Sequence, residues 1–315
     1  MSMETDAVVM TGPKKLGIES VRIRPPEHDE TVVKVCHSGI STGTEKLFWS
    51  GEMPAFPGMG YPLVPGYESV GEVSETKSQS GFKAGDTVFI PGSTCFEDVR
   101  GLFGGSARYL STASKRLIKI DSTLKESGTL FALAATARHA VAGLSSTLPD
   151  LIVGHGVLGR LLARLTIVAG GRPPTVWETD ASRRSGAEGY NVLHPDDDKK
   201  NDYGSIFEAS GDASLIDSLI GRVCKGGEIV LTGFYSSNIN FSFPPAFMKE
   251  IRMRVAAEFN SEDIHSTRAL IDTGSLSLDN LITDYEHVVD AEAAYEKAFN
   301  DKNCLKMVLN WSEIQ

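Results

Sequence analysis

The sequence predicts an α/β chain in which a β-rich domain precedes a doubly wound parallel sheet. Three observations predict it. Up to about residue 120 the chain carries short alternating apolar segments cut by Gly and Pro turns, the period-2 pattern of half-buried strands. From Leu151 onward, short apolar runs alternate with helical stretches, the β-α-β order that builds a parallel sheet. Between the first of these runs and its helix lies Gly154-His155-Gly156-Val157-Leu158-Gly159, a glycine string with a strand before it and a helix after it.

Each element follows from its residues. Alternation places strands at Ala7–Met10, Thr31–Cys36, Glu68–Ser74 and Thr87–Ile90. The Pro- and Gly-dense stretch Gly51–Gly66 is expected as an ordered loop carrying apolar side chains. A helix is expected from about Ser127 to Leu144. Leu151–Val153 reads as a buried strand, followed by the glycine string and a helix to about Ala169. A second strand, Thr175–Thr179, ends at Asp180. Ser205–Ala209 and Glu228–Thr232 are further strands, with a helix over Ser214–Val223 between them. Beyond about Ala256 the pattern returns to helices and a last strand, Leu305–Leu309.

Composition excludes several classes of function. With 41 acidic and 31 basic residues the net charge is −10, so the basic footprint of a nucleic-acid binder is missing. No stretch reads as about 20 uncharged apolar residues, so no transmembrane segment is expected. The opening Met-Ser-Met-Glu-Thr-Asp lacks the pattern of a signal peptide, and a cytoplasmic location is expected. The cysteines, Cys36, Cys95, Cys224 and Cys304, form no CxxC pair and read as separate reduced thiols. Asp196–Asp198 reads as a solvated turn.

The glycine string has a mechanism in this context. Gly154 permits a tight turn, Gly156 lets the backbone approach a pyrophosphate, and Gly159 lets helix and strand pack closely. The first turn of the helix, with Val157 and Leu158, offers N–H groups to phosphates. Asp180, 21 residues after Gly159, is placed to accept hydrogen bonds from the adenosine ribose, which favours NAD over NADP. Arg183 and Arg184 pull the other way, since an arginine there receives a 2′-phosphate. Glu178 is a rival acid that strand alternation turns away. Ser210 and Gly233, after the next two strands, complete the expected cofactor set. The alternative is a structural strand–turn–helix without nucleotide.

Four blocks carry a resemblance: Ser38-Gly39-Ile40-Ser41-Thr42-Gly43-Thr44, Pro65-Gly66-Tyr67-Glu68-Ser69-Val70-Gly71, Thr136-Ala137-Arg138-His139-Ala140 and the glycine string. Together they resemble the medium-chain dehydrogenases. The resemblance implies a GroES-like catalytic domain over 1–122, a Rossmann cofactor domain over 123–257 and a return to the catalytic domain over 258–315. Where that family holds its catalytic zinc, this chain has Ser41, Tyr67 and, approximately, Ala132. Only Cys95 lies where a structural zinc would need four cysteines. No metal is therefore expected, and a relocated one at His37 or Glu68 lacks spaced partners. The segments Gly39–Lys46 and Phe56–Glu68, with the short total length, are similar to members of the family that act on a chlorin macrocycle. That similarity implies oxidation of a 1-hydroxyethyl substituent to acetyl with NAD as acceptor.

Without zinc, side chains must stabilise the developing alkoxide. Tyr67 is the expected proton acceptor, with Lys46 favouring its phenolate, and Ser41 and Thr42 are expected as hydrogen-bond donors to substrate or cofactor. The alternative is a Tyr67 that only fills space and a Lys46 that is a solvated loop charge. Trp49, Phe56 and Met59, with Phe48, Met53 and Tyr61, are expected to line an apolar cleft for the macrocycle, although part of them suit the domain's own core. Phe234, Tyr235 and Phe241–Phe247 are expected as the facing wall of a cleft between the domains. Family analogy suggests a homodimer through the sheet edge of the cofactor domain. The competing functions are a zinc-independent alcohol or quinone oxidoreductase on small molecules, and a non-catalytic NAD(H)-binding protein that chaperones a pigment or senses redox state.

Overall fold

The computed structural model describes residues 2–54, 57–76, 80–142 and 147–312. The chain forms two compact units, one of residues 1–132 with 281–315, the other of residues 133–280.

The first unit carries strands β1 (Met3–Gly12), β2 (Lys15–Ile23) and β3 (Glu30–Gly39), helix α1 (Thr44–Ser50), and β4 (Leu63–Val64), β5 (Ser69–Glu75), β6 (Thr87–Ile90), β7 (Arg100–Gly101), β8 (Tyr109–Ala113) and β9 (Ile118–Lys119). Helix α2 (Phe131–Ala142) leads into the second unit. There follow β10 (Leu151–Val153), α3 (Val157–Val168), β11 (Thr175–Trp177), β12 (Asn191–Leu193), β13 (Tyr203–Glu208), α4 (Ile216–Arg222), β14 (Val223–Leu231), α5 (Phe243–Lys249), β15 (Arg252–Val255) and α6 (Ser261–Asp272). The chain then returns to the first unit with β16 (Asp284–His287), α7 (Ala291–Asn300) and β17 (Met307–Asn310).

In the first unit one sheet runs β2-β1-β4-β7. The other runs β16-β17-β3-β5-β6-β9, with β8 also pairing β3. Its core gathers Val33, Val35, Ile40, Phe48, Tyr295 and Trp311, all at most 1% exposed. The second unit holds one six-stranded sheet in the order β12-β11-β10-β13-β14-β15, and every pair is parallel. Its central strands are buried on both faces, which is why Leu151–Val153 is continuously apolar and does not alternate.

The unit junctions fall at 132/133 and 280/281, in place of the expected 122/123 and 257/258. Two sets of contacts explain the shift. The turns over Ser122–Leu130 pack on the first unit, where a Cβ on Gly128 would meet Val70 and Ile120 at 2.8 and 2.6 Å. Helix α6 is tied into the second unit by Asp263, which accepts from Arg138 at 2.8 Å and contacts His139 at 2.7 Å. Part of the helix expected over Ser127–Leu144 is 3-10 turn up to Leu130, and residues 143–146 lie outside the described residues. Among the described residues no helix is long and apolar enough to cross a membrane.

Candidate active site

In the second unit the glycine loop follows β10. Gly154 has φ +100°, a conformation that side chains disfavour. A Cβ on Gly159 would sit 1.9 Å from the Gly154 carbonyl oxygen, so α3 packs on the loop only because that Cβ is missing. At Gly156 an added Cβ meets nothing within 4 Å, and Gly156 caps α3 without a side-chain hydrogen bond. Among the described residues the space beside Gly156, where Val157 and Leu158 begin the first turn of α3, is thus open. That cradle fits a pyrophosphate. Ser210 and Gly233 gather at the same strand ends: the Gly154 Cβ position lies 3.1 Å from the Ser210 nitrogen, and that of Gly233 lies 3.0 Å from Gly211.

The acid nearest the loop is Glu178. Its Oε2 accepts from the His155 N–H at 3.3 Å and its Oε1 from the Asp180 N–H at 2.9 Å. The reading that turned Glu178 away is corrected, because β11 stops at Trp177 and alternation no longer governs the next side chain. Asp180 lies beyond the strand and uses Oδ1 to accept from the Ser182 N–H and hydroxyl at 2.9 and 2.7 Å, capping the turn Ala181–Arg183. Arg184 donates to the carbonyls of Glu178 and Thr179, both at 3.0 Å.

Arg183 contributes its carbonyl, which accepts from His155 Nδ1 at 2.7 Å. The other ring nitrogen of His155 then accepts from the Tyr190 hydroxyl at 2.8 Å. Burial pushes this imidazole down to about 4, so it is neutral at pH 7. Arg160 of α3, 6% exposed, donates to the carbonyls of His155, Arg183, Ser185 and Gly186 at 2.9–3.2 Å. His155 and Arg160 escape a reading of the motif that attends only to its glycines. The available signal is a pair of arginines, Arg160 and Arg164, four residues apart inside an otherwise apolar helix.

In the first unit, the turn after β3 and the turn before β5 bring Ser41 and Tyr67 together, with Ser41 Oγ 2.6 Å from the Tyr67 hydroxyl. The Tyr67 ring meets Phe103 edge-on at 5.4 Å. Burial, then the negative charge of Glu68, holds the Tyr67 phenol above its usual range, and Glu45 acts the same way; the Ser41 hydrogen bond opposes them. Lys46 is exposed, and its Nζ donates to the Phe299 carbonyl at 2.9 Å near the end of α7. The expectation of a Tyr67 phenolate favoured by Lys46 is thus corrected: the charge that acts most on Tyr67 is the Glu68 carboxylate, and the group is a neutral phenol. Thr42 is exposed beside them.

Beneath this hydroxyl pair lies a buried charged cluster. Glu68 is fully buried, its Oε2 accepts from the ammonium of Lys306, and its Oε1 has no hydrogen-bond partner among the described residues. Lys306, 2% exposed, also donates to the Ile40 carbonyl at 3.0 Å. Glu45, likewise fully buried, accepts from the Tyr295 hydroxyl at 2.8 Å and the Ser41 N–H at 3.3 Å. Burial pushes the Glu45 carboxyl from an ordinary 4.5 up to about 8. Its folded value lies above its unfolded one, so stability is fully present below the unfolded value and is lost as pH rises through the folded one. Glu45→Gln is expected to flatten that loss, measured as urea midpoints from pH 5 to 9. The native chain should lose roughly 1.4 kcal/mol per pH unit relative to the variant across most of this window. Parallel pH profiles of the two proteins would contradict the assignment.

The family's zinc does not fit these residues. Ser41 and Tyr67 offer neutral hydroxyls bonded to one another, Ala132 offers no donor, and Glu68 faces Lys306, whereas zinc takes thiolate, imidazole or carboxylate. Among the described residues no three His, Cys, Asp or Glu side chains form a group that could hold a metal ion. All four cysteines are free thiols. Of the expected substrate residues, Trp49 and Met59 are partly buried against the first unit's core, with Trp49 5.4 Å from the Phe299 ring. Phe48 belongs wholly to the core, and Phe56 lies outside the described residues. Phe234 is 48% exposed on the second unit.

Fold and site together define an alcohol dehydrogenase-type oxidoreductase of the medium-chain class. The alcohol dehydrogenase GroES-like domain family matches residues 27–122. The chain belongs to the family of the 2-desacetyl-2-hydroxyethyl bacteriochlorophyllide A dehydrogenases. It is 58% identical to that protein of Cereibacter sphaeroides over 98% of this chain and 99% of the relative. Identity to the protein of the same name from Rhodobacter capsulatus is 56%, over 99% of each. Among solved structures, a short chain alcohol dehydrogenase of Escherichia coli CFT073 complexed with NADH superposes with TM-score 0.81 at 19% identity, over 98% of this chain and 99% of that one. A dehydrogenase of Sinorhizobium meliloti 1021 bound to NADP superposes with TM-score 0.82 at 20% identity, over the same shares.

Proposed function

We propose that this chain oxidises the 3-(1-hydroxyethyl) group of a bacteriochlorophyllide to 3-acetyl, with NAD as acceptor and without zinc, as a cytoplasmic step of bacteriochlorophyll biosynthesis. The observation that carries the reading is full-length identity of 56–58% to two dehydrogenases named for that substrate. The open cradle at Gly156 supports a nicotinamide dinucleotide. The Glu178 carboxylate on the loop favours ribose hydroxyls over a 2′-phosphate, and Arg184 is already engaged by backbone carbonyls.

Residues Gly154–Gly159 would hold the dinucleotide, and its oxidised nicotinamide would supply the hydride acceptor for the carbinol carbon. The chain's part is to hold the carbinol oxygen. The carbinol proton leaves to water, and Tyr67, a neutral phenol oriented by Ser41, donates to that oxygen as its negative charge grows. A second copy of the chain is the partner this reading expects: β15 is the outer strand of its sheet, and Phe243 and Phe247 form a groove with Met253 beside it.

The test mixes purified protein, NAD and the hydroxyethyl pigment. The absorption maximum should move as the new carbonyl conjugates with the ring. An unchanged spectrum with both NAD and NADP would overturn the reading. Tyr67→Phe should lower kcat by about 100-fold while NADH affinity stays put; turnover at the native rate would remove Tyr67 from the chemistry. Incubation with 1,10-phenanthroline should leave the rate unchanged, and inactivation that zinc reverses would refute the metal-free site.

A further inference from the structure

Glu208 closes β13 and is fully buried. Donors from two loops surround its carboxylate. Oε1 accepts from the Ser210 N–H at 2.7 Å and from the Ser210 hydroxyl. Oε2 accepts from the Gly211 N–H at 3.1 Å and from the Tyr235 hydroxyl. The Glu208 carbonyl accepts from the Thr232 N–H at 2.9 Å and its hydroxyl at 2.7 Å. Among the described residues no Lys or Arg pairs with it, so the charge rests on these neutral donors alone. One residue thereby ties the end of β13 to the end of β14.

These loops stand at a particular place in the sheet. A dinucleotide on a doubly wound sheet lies across the carboxyl ends of the strands at the switch point, which here separates β10 from β13. Glu178 marks the β10–β11 side, where the ribose of the adenosine half belongs. The other half then falls on the β13–β14 side, over Ser210, Gly211 and Gly233, which already touch the glycine loop or one another.

We propose that Glu208 is a positioning residue that locks residues 210–212 and 233–235 into the seat of the nicotinamide half of the cofactor. The proposal rests on the dinucleotide reading above. Glu208 acts through Ser210 and Tyr235, and holding both loops in one arrangement spares the cofactor the ordering cost of doing so.

The experiment is calorimetric titration with NADH and with ADP-ribose, alongside steady-state kinetics, for the native chain, Glu208→Gln and Tyr235→Phe. Both variants should bind ADP-ribose as the native chain does, since that ligand lacks the nicotinamide. NADH affinity should fall about tenfold in Glu208→Gln and less in Tyr235→Phe, and KM for NAD should rise in step. Equal losses for both ligands would mean a general folding role and overturn the proposal, as would unchanged NADH affinity in both variants. If Glu208→Gln does not fold, the ratio of the two affinities in Tyr235→Phe decides the matter. A native chain that binds neither ligand would sink the dinucleotide reading itself.

Discussion

Gly156→Val is expected to leave the fold intact and to weaken NADH binding by about 100-fold or more, near 2.7 kcal/mol. The two halves of this result have separate causes. Gly156 has φ −71° and ψ −176°, which any residue adopts, and its added Cβ touches nothing within 4 Å. The cost to the helix cap is at most about 1 kcal/mol. The new side chain would instead occupy the cradle in front of the α3 N-terminus. Gly159→Val makes the contrasting control, since its Cβ would collide with the Gly154 carbonyl at 1.9 Å and disrupt the loop itself. Thermal unfolding and NADH titration of the two variants separate these cases. A Gly156→Val protein with native affinity would show that the open space does not receive phosphates.

The second large effect lies in the first unit. Lys306→Met should destabilise the chain by about 3–5 kcal/mol at pH 7, because it leaves the Glu68 carboxylate buried without its ammonium. Adding Glu68→Gln removes the stranded charge and should restore most of the loss. Urea unfolding of the two single variants and the double variant measures the coupling. A loss in Lys306→Met below about 1 kcal/mol, or additive losses in the double variant, would mean that the pair carries little of the unit's stability.

Much of the second unit is legible in sequence because its signals are local. The three glycines of the loop each answer a separate steric demand, and short buried strands alternate with helices at fixed spacing. The hydroxyl pair of Ser41 and Tyr67 is reached through family resemblance, since nothing in either segment alone brings them within 2.6 Å. The cluster beneath them is hidden for a physical reason. Glu45 meets Tyr295 and Glu68 meets Lys306 only because the last strand and helix of the chain return to the first unit, across 250 and 238 residues. Sequence periodicity carries no information about contacts at that separation. Glu178 illustrates the opposite limit. A local rule, strand alternation, is applied one residue past the point where the strand ends.

The connection between β11 and β12 has one further consequence, and it is kinetic. Apart from a single 3-10 turn it has no regular structure, yet three hydrogen bonds from Arg160 and two from the His155 ring anchor it to buried groups. A wall pinned in this way is complete before any nucleotide arrives. On the proposed reading, uptake of the dinucleotide needs no rearrangement of this wall, and its observed rate should climb linearly with concentration without reaching the plateau that an opening step would impose.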